Sequence, residues 1–263
     1  MKKVALVTGG TSGIGLAVAQ SLKKKGYTVY EVSRRAEGPK GVIHLVGDVT
    51  KEAQMQAVVD EIMEKEGRID LLVNNAGFGI SGAIEFTDGE EAKKQFDVNF
   101  FGTVNTTHAV LPVMRQQGKG TIVNVSSMAA PSAIPFQAYY SASKSAVQSY
   151  SMALLNEVRP FGIKVICILP GDIATGFTAA REKSLAGDDV YGGRISRSVA
   201  VMEHDEQNGI PARVAGQFIA DKAVKRNPKP QYIIGNSYRL MYFATRLVPI
   251  RFLYSVVSKL YGG

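Results

Sequence analysis

Cysteine is nearly absent: Cys167 stands alone among 263 residues, which excludes an internal disulfide framework. It lies in the apolar run Val165-Ile166-Cys167-Ile168-Leu169, so we expect a thiol buried in strand packing, unreactive and suited to a reducing compartment. No apolar run approaches the roughly 20 residues a membrane-spanning helix needs. The apolar stretch after Met1-Lys2-Lys3 ends at Thr8-Gly9-Gly10, too short for a secretory signal core, so a first strand and a cytoplasmic protein are expected. Linkers, charge blocks, low-complexity tracts and internal repeats are also missing, which leaves residues 1–263 as one expected domain. His44, His108 and His204 lack metal-ligand spacing, and no metal site is expected. The formal charge of +8 would suit an anionic ligand or surface, but no nucleic-acid motif or dense basic cluster accompanies it, and no nucleic-acid partner is expected.

What is present is alternation. With 45% hydrophobic residues the chain can bury a substantial core. Short β-branched runs at Val4–Val7, Thr28–Val32, Val42–Val46, Ile69–Val73, Thr121–Val125, Lys164–Leu169 and Tyr232–Ile234 are separated by longer segments. Three of these segments predict helices: Ile14–Lys25 closed by Gly26, Lys51–Glu66 started by Thr50 and closed by Gly67, and Ala138–Val158 stopped before Pro160. The pattern predicts an α/β fold, a Rossmann-type doubly wound parallel sheet of about seven strands with helices on both faces. Ligands of such sheets bind beyond the carboxyl ends of the strands, so function is to be sought there.

After the first strand comes Thr8-Gly9-Gly10-Thr11-Ser12-Gly13-Ile14-Gly15, opening a helix. Glycines allow a tight turn and close backbone approach, and the helix N-terminus presents free N–H groups to a pyrophosphate. The spacing Gly-x-x-x-Gly-x-Gly resembles that of the short-chain dehydrogenase/reductase family, single-domain branch, and further matches follow in family order up to about Thr175. The resemblance implies one dinucleotide-binding oxidoreductase domain and assigns Gly9, Thr11, Ser12, Gly13, Ile14 and Gly15 to the cofactor.

Which nicotinamide cofactor is bound turns on Tyr30-Glu31-Val32-Ser33-Arg34-Arg35. The position of the acid that binds the ribose of NAD falls on Ser33, with Arg34 next, which favours NADP(H) over NAD(H) because a guanidinium pairs well with phosphate. Glu31, two residues back on the same strand side, is the rival that would reverse this. A solvated turn is the plain alternative for Arg34 and Arg35. Asp48, with Val49, resembles the family's adenine contact, and a helix-capping role competes for it. Asn74-Asn75-Ala76-Gly77 resembles the family motif in which Asn75, Ala76 and Gly77 line the adenosine ribose. Pro170-Gly171-Asp172-Ile173-Ala174-Thr175 resembles the loop beside the nicotinamide carboxamide, with Pro170, Gly171, Ile173 and Thr175 as contacts.

Tyr140-Ser141-Ala142-Ser143-Lys144 places Tyr140 and Lys144 on one helical face. A nearby ammonium favours phenolate, so Lys144 can activate Tyr140, and the resemblance implies that it also holds the nicotinamide ribose. Tyr140 would protonate a carbonyl oxygen in reduction and deprotonate an alcohol in oxidation. Ser127 lies at the family's separation upstream of Tyr140 and would orient the substrate oxygen. Ser126 and Tyr139 compete with Ser127 and Tyr140. Asn99 resembles the family residue that binds a water in a proton relay, while a helix kink or backbone cap is compatible with it. Asn99, Ser127, Tyr140 and Lys144 together form the expected catalytic set.

From Gly176 to about Ile210 the chain turns polar and loses clear periodicity; the family carries its substrate lid here, and a surface loop is the alternative. The final segment, Tyr238–Tyr261, mixes apolar residues with Arg239, Arg246, Arg251 and Lys259, contains no acid, and predicts two amphipathic helices divided around Pro249. Such endings resemble those of hydroxysteroid- and retinol-dehydrogenase-like members. They suit an apolar substrate entrance or a membrane-surface contact that would make the protein peripheral to a membrane; packing on its own domain or on a second subunit is equally compatible, and a homo-oligomer is expected. The resulting expectation is an NADP(H)-dependent oxidoreductase for an apolar alcohol or ketone such as a hydroxysteroid. A 3-oxoacyl thioester reductase and a non-catalytic nucleotide-sensing scaffold are its rivals.

Overall fold

The computed structural model describes residues 2–245 and 247–262; Arg246, one of the basic residues noted above, lies outside the described residues, as do Met1 and Gly263. In chain order the elements are β1 (Val4–Thr8), α1 (Gly13–Lys24), β2 (Thr28–Ser33), β3 (Ile43–Val46), α2 (Glu52–Glu66), β4 (Leu71–Asn74) and β5 (Ile80–Ser81). Then follow α3 (Gly89–Phe96), α4 (Gly102–Gln117), β6 (Gly120–Val125), α5 (Ala138–Val158), β7 (Ile163–Pro170), β8 (Ile173–Ala174) and α6 (Phe177–Ala180). The chain ends with β9 (Glu182–Lys183), α7 (Arg194–Gln207), β10 (Ile210–Pro211), α8 (Ala212–Ala223), β11 (Gln231–Ile234), α9 (Asn236–Ala244) and α10 (Ile250–Tyr261).

Seven strands form one parallel sheet in the order β11-β7-β6-β4-β1-β2-β3. Its central strand β1 is buried along its whole length and apolar from Val4 to Val7, as expected where both faces of the sheet are covered. In β1, Val4 and Leu6 face a core completed by Met55, Val59 and Ile62 of α2, Val110 and Met114 of α4, and Leu154 of α5. The intervening Ala5 and Val7 face Val18 and Leu22 of α1 and Ala215 and Ile219 of α8. Each such valine, leucine, isoleucine or methionine, when fully buried, contributes about 1.5–3 kcal/mol, and a one-residue slip of β1 would exchange both layers at once. Helices α1 and α8 meet at Gly216, where an added Cβ would come 2.4 Å from the Cβ of Ala17.

Several boundaries differ from expectation for local reasons. Helix α2 begins at Glu52 after an N-cap at Lys51 that makes no side-chain cap; Thr50 does not start it, because its hydroxyl and N–H both donate to Asp48 Oδ1 at 2.9 Å. Gly67 does close α2, in the left-handed region at φ +68°. The stretch from 176 to 210, expected to lack periodicity, contains α7, whose Ile195, Ser198, Val199 and Met202 form a buried i, i+3, i+4, i+7 stripe. The stripe is narrow and half masked by its serine. The two C-terminal helices form as expected on either side of Pro249.

Candidate active site

The reversal of strand order between β1 and β4 opens a crevice at their carboxyl ends. Here Thr8 Oγ1 accepts hydrogen bonds from the N–H groups of Asn75 and Ala76, each at 3.0 Å, and Asn75 Nδ2 donates to the carbonyls of Thr8 and Gly9 at 3.1 and 3.3 Å. These bonds staple the glycine loop to the loop after β4. Gly9 and Gly13 have φ +67° and +54°, and a Cβ on Gly15 would meet the Gly9 carbonyl oxygen at 2.3 Å. The loop therefore closes only with glycine at these positions.

A cavity of about 920 Å³ starts over this loop. Every expected cofactor or catalytic residue lines it except Gly15, buried beneath the loop, and Asn99. The end nearest β2 and β3 is formed by Ser33, Arg34, Arg35, Asp48 and Val49. Ser33 Oγ is buried there without a hydrogen-bond partner, as a group awaiting a ligand oxygen would be. Glu31 takes no part: its side chain is fully buried and paired with His44. The glycine loop, the unpaired Ser33 and the two exposed arginines fit a dinucleotide.

At the other end Tyr140, Lys144 and Ser127 converge. Lys144 is 5% exposed and its Nζ donates to the Val125 carbonyl at 3.0 Å; burial brings its pKa down to about 8. Burial pushes the Tyr140 phenol up to about 12, with the Ser127 hydroxyl pulling back and Glu206 adding to the rise. Ser127 Oγ also accepts from the Ala129 N–H at 3.1 Å. Its rival Ser126 is committed elsewhere, donating to the Lys144 carbonyl at 2.7 Å. Tyr140 is thus held as a neutral phenol beside a hydroxyl, an arrangement able to donate a proton to a carbonyl oxygen placed between them.

Asn99 sits in a π-helical turn, Asp97–Phe101, that joins α3 to α4, so the kink anticipated from the sequence is real. Its amide is engaged on both sides: Oδ1 accepts from Phe78 N–H at 3.0 Å, and Nδ2 donates to Phe78 O and Ser143 Oγ at 3.0 and 3.1 Å. Asp48 lines the cavity and accepts from Thr50 in the turn before α2, but it does not cap that helix, whose N-cap is Lys51. Gly13 and Thr175 approach closely, an added Cβ on the glycine lying 3.4 Å from Thr175 Cβ, so the loop of residues 170–175 rests on the glycine loop.

Several lining residues escaped the sequence reading. Phe177 packs its ring 5.7 Å from that of Tyr140. Glu206 of α7 pairs with buried Arg181, and Tyr238 of α9 donates to Asp172 while covering Gly171. Tyr238, Met241, Leu253, Val257 and Tyr261 bring the inner faces of α9 and α10 over the cavity. Met241, Leu253 and Val257 belong to the C-terminal segment anticipated as an apolar entrance, whereas no local motif announces Phe177, Glu206 or Tyr238. The same two helices turn Leu240, Phe243, Ile250 and Phe252 outward, each more than half exposed and none of them lining the cavity. Among the described residues no group of three or more His, Cys, Asp and Glu side chains is placed to hold a metal ion, and no helix is long and apolar enough to cross a membrane.

Residues 3–186 match the sequence profile described as short chain dehydrogenase. A 3-ketodihydrosphingosine reductase of Bacteroides thetaiotaomicron is 41% identical over 91% of this chain and 90% of its own. A human 3-oxoacyl-[acyl-carrier-protein] reductase is 34% identical over 77% and 89%. Among solved structures, a short-chain dehydrogenase from Streptomyces avermitilis superposes with a TM-score of 0.83 at 29% identity, covering 98% of this chain and 97% of that one.

Proposed function

Since the chain belongs to the short-chain dehydrogenase family and so to the NAD(P)-dependent oxidoreductases of alcohol and keto groups, we propose that it uses NADP(H) and acts on a ketone or secondary alcohol with a large apolar body. The bound cofactor supplies or accepts the hydride. Gly9, Thr11, Ser12, Gly13 and Ile14 hold its pyrophosphate, Ser33 and Arg34 its adenosine 2′-phosphate, Asp48, Val49, Asn75, Ala76 and Gly77 its adenosine, and Pro170, Gly171, Ile173 and Thr175 its nicotinamide end. Ser127 Oγ orients the substrate oxygen and Tyr140 Oη gives it a proton during reduction. Lys144 secures the ribose and favours phenolate in the reverse direction. Asn99 acts behind Lys144 by fixing the Phe78 backbone and the turn that faces it.

The observation that carries the substrate class is the continuity of the cavity from Ser127 and Tyr140 to the apolar inner faces of α9 and α10. The Bacteroides relative is named for 3-ketodihydrosphingosine, a ketone on a long alkyl chain, which makes a long-chain keto compound the first candidate and a hydroxysteroid the second. A 3-oxoacyl thioester, suggested by the human relative's name, is disfavoured by the helices that cover the substrate end. The intact Ser127, Tyr140 and Lys144 set disfavours a non-catalytic scaffold.

The partner surface follows from the charge. Residues 222–263 hold eight Lys and Arg and no acid, so the rest of the chain, with 23 basic and 23 acidic residues, is neutral. The whole net charge therefore falls in the segment that includes the exposed apolar faces of α9 and α10, which suits a cytoplasmic protein resting on an anionic membrane surface. A homo-oligomer is compatible with this placement.

NADPH consumption with a homologous series of 3-keto compounds, a ketosteroid, a 3-oxoacyl thioester and sugar ketones tests the substrate reading. Each methylene buried is worth about 0.8 kcal/mol, so kcat/KM should rise up to about fourfold per carbon until the cavity is filled. A flat series would defeat it.

A further inference from the structure

Glu31 and His44 are direct neighbours on β2 and β3 and outside the cavity, yet they touch both loops that frame its adenosine end. Glu31 Oε1 bonds His44 Nδ1, and His44 Nε2 lies 3.0 Å from the Arg35 carbonyl oxygen. A carbonyl oxygen only accepts, so Nε2 carries a proton whenever this bond is made. Nδ1 then either donates to a carboxylate or accepts from a carboxylic acid, and both forms preserve the link. On its other side Glu31 abuts the glycine loop: a Cβ on Gly10 would come 2.6 Å from Glu31 Cβ, and the Gly10 backbone amide favours the ionised carboxyl. Gly38 packs equally tightly, an added Cβ lying 2.2 Å from His44 Cβ. The segment that carries Arg34 and Arg35 is thus hung on the imidazole at its start and laid against it farther along.

This link is poor value as mere strand packing. Glu31 is wholly buried, burial raises its pKa, and Oε2 has no hydrogen-bond partner. Two apolar neighbours would join the strands without leaving a buried carboxyl oxygen unpaired, but neither could reach the Arg35 carbonyl. Arg34 and Arg35 are exposed, and an exposed guanidinium binds phosphate well only if its backbone is already in place.

We propose that Glu31 and His44 are positioning residues that fix the Arg34–Arg35 segment against the glycine loop and thereby set the preference for a 2′-phosphorylated dinucleotide. The inference rests on the NADP(H) reading. Calorimetric titration of the full-length protein with adenosine 2′,5′-bisphosphate and with 5′-AMP tests the two separately. The wild type should bind the bisphosphate more tightly. His44→Phe should shrink that ratio by up to about tenfold, the worth of one hydrogen bond, while AMP affinity and kcat at saturating NADPH hold. His44→Gln, whose amide nitrogen can replace Nε2 toward the Arg35 carbonyl, should recover most of the ratio. If the wild type does not discriminate, the NADP(H) reading fails and takes this inference with it. If it discriminates and His44→Phe keeps the full ratio, or loses AMP and bisphosphate affinity together, the cofactor reading stands and the positioning role alone is overturned.

Discussion

Lys144 gives its hydrogen bond to the Val125 carbonyl, at 3.0 Å, and its ammonium lies 5.9 Å from the centre of the Tyr140 ring. The lysine is thus anchored by the sheet, within electrostatic reach of the phenol and without a bond to it. Burial sets the Lys144 pKa at about 8 and that of Tyr140 at about 12. Lys144 is charged below pH 8 and loses its proton above, while Tyr140 stays a phenol throughout the assay range. Since kcat/KM reports groups of the free enzyme, reduction should show one falling limb near pH 8 as pH rises, with no second limb up to about pH 10. Lys144→Arg, permanently charged, should remove the limb and retain part of the activity. A wild-type profile flat from pH 6 to 10 would sink the assignment.

Tyr140→Phe keeps the ring that packs on Phe177 and removes the proton donor. The expected loss is about 10²- to 10⁴-fold in kcat, with NADPH affinity, followed by cofactor fluorescence, unchanged. Ser127→Ala should cost about 10²- to 10³-fold. Because the two hydroxyls act on one oxygen, the double variant should lose far less than the product of the single losses; a fully multiplicative loss would mean independent roles.

The parts of this protein legible in its sequence are those with short-range signatures. The sheet strands are readable because the covered faces demand apolar residues, so β1, β6 and β7 are rich in valine and isoleucine. The glycine loop and the Tyr140–Lys144 pair were readable because their geometry depends on residues a few positions apart. Helix α7 was not, since Ile195, Val199 and Met202 sit among charges and its fourth buried position is a serine. Nor were the Glu206–Arg181, Tyr238–Asp172 and Glu31–His44 links, each joining residues separated by 13 or more positions. Glu31 shows the limit well: the sequence puts it on the same strand side as Ser33, and only the structure shows it buried against His44 and outside the cavity.

Arg34→Asp tests the cofactor end directly. A carboxylate there repels a 2′-phosphate and can accept from a ribose hydroxyl, so kcat/KM with NADPH should fall about 10- to 100-fold, the worth of a charge-assisted bond, while that with NADH rises. Ser33 Oγ, buried without a partner, should add to the 2′-phosphate contact, and Ser33→Ala should lower NADPH affinity more than NADH affinity. Steady-state kinetics with both cofactors decide the matter; an unchanged preference in Arg34→Asp would refute the NADP(H) assignment.

The outer surface of α9 and α10 yields a prediction about place. Apolar residues exposed beside Arg239, Arg251 and Lys259, with no acid after Asp221, combine the two terms that hold an interfacial helix on a bilayer: buried apolar area and about 1 kcal/mol for each basic residue near an anionic surface. The protein should co-sediment with phosphatidylglycerol vesicles, bind phosphatidylcholine vesicles far more weakly, and be partly released by high salt, which screens the second term and leaves the first. Leu240→Glu with Phe252→Glu should abolish co-sedimentation. Neither side chain lines the cavity, so turnover of a short soluble ketone should survive while turnover of a vesicle-borne long-chain ketone falls. A concentration-dependent dimer that disappears in the same double variant, with no vesicle binding by the wild type, would instead assign this face to a second copy of the chain and remove the membrane from the reading.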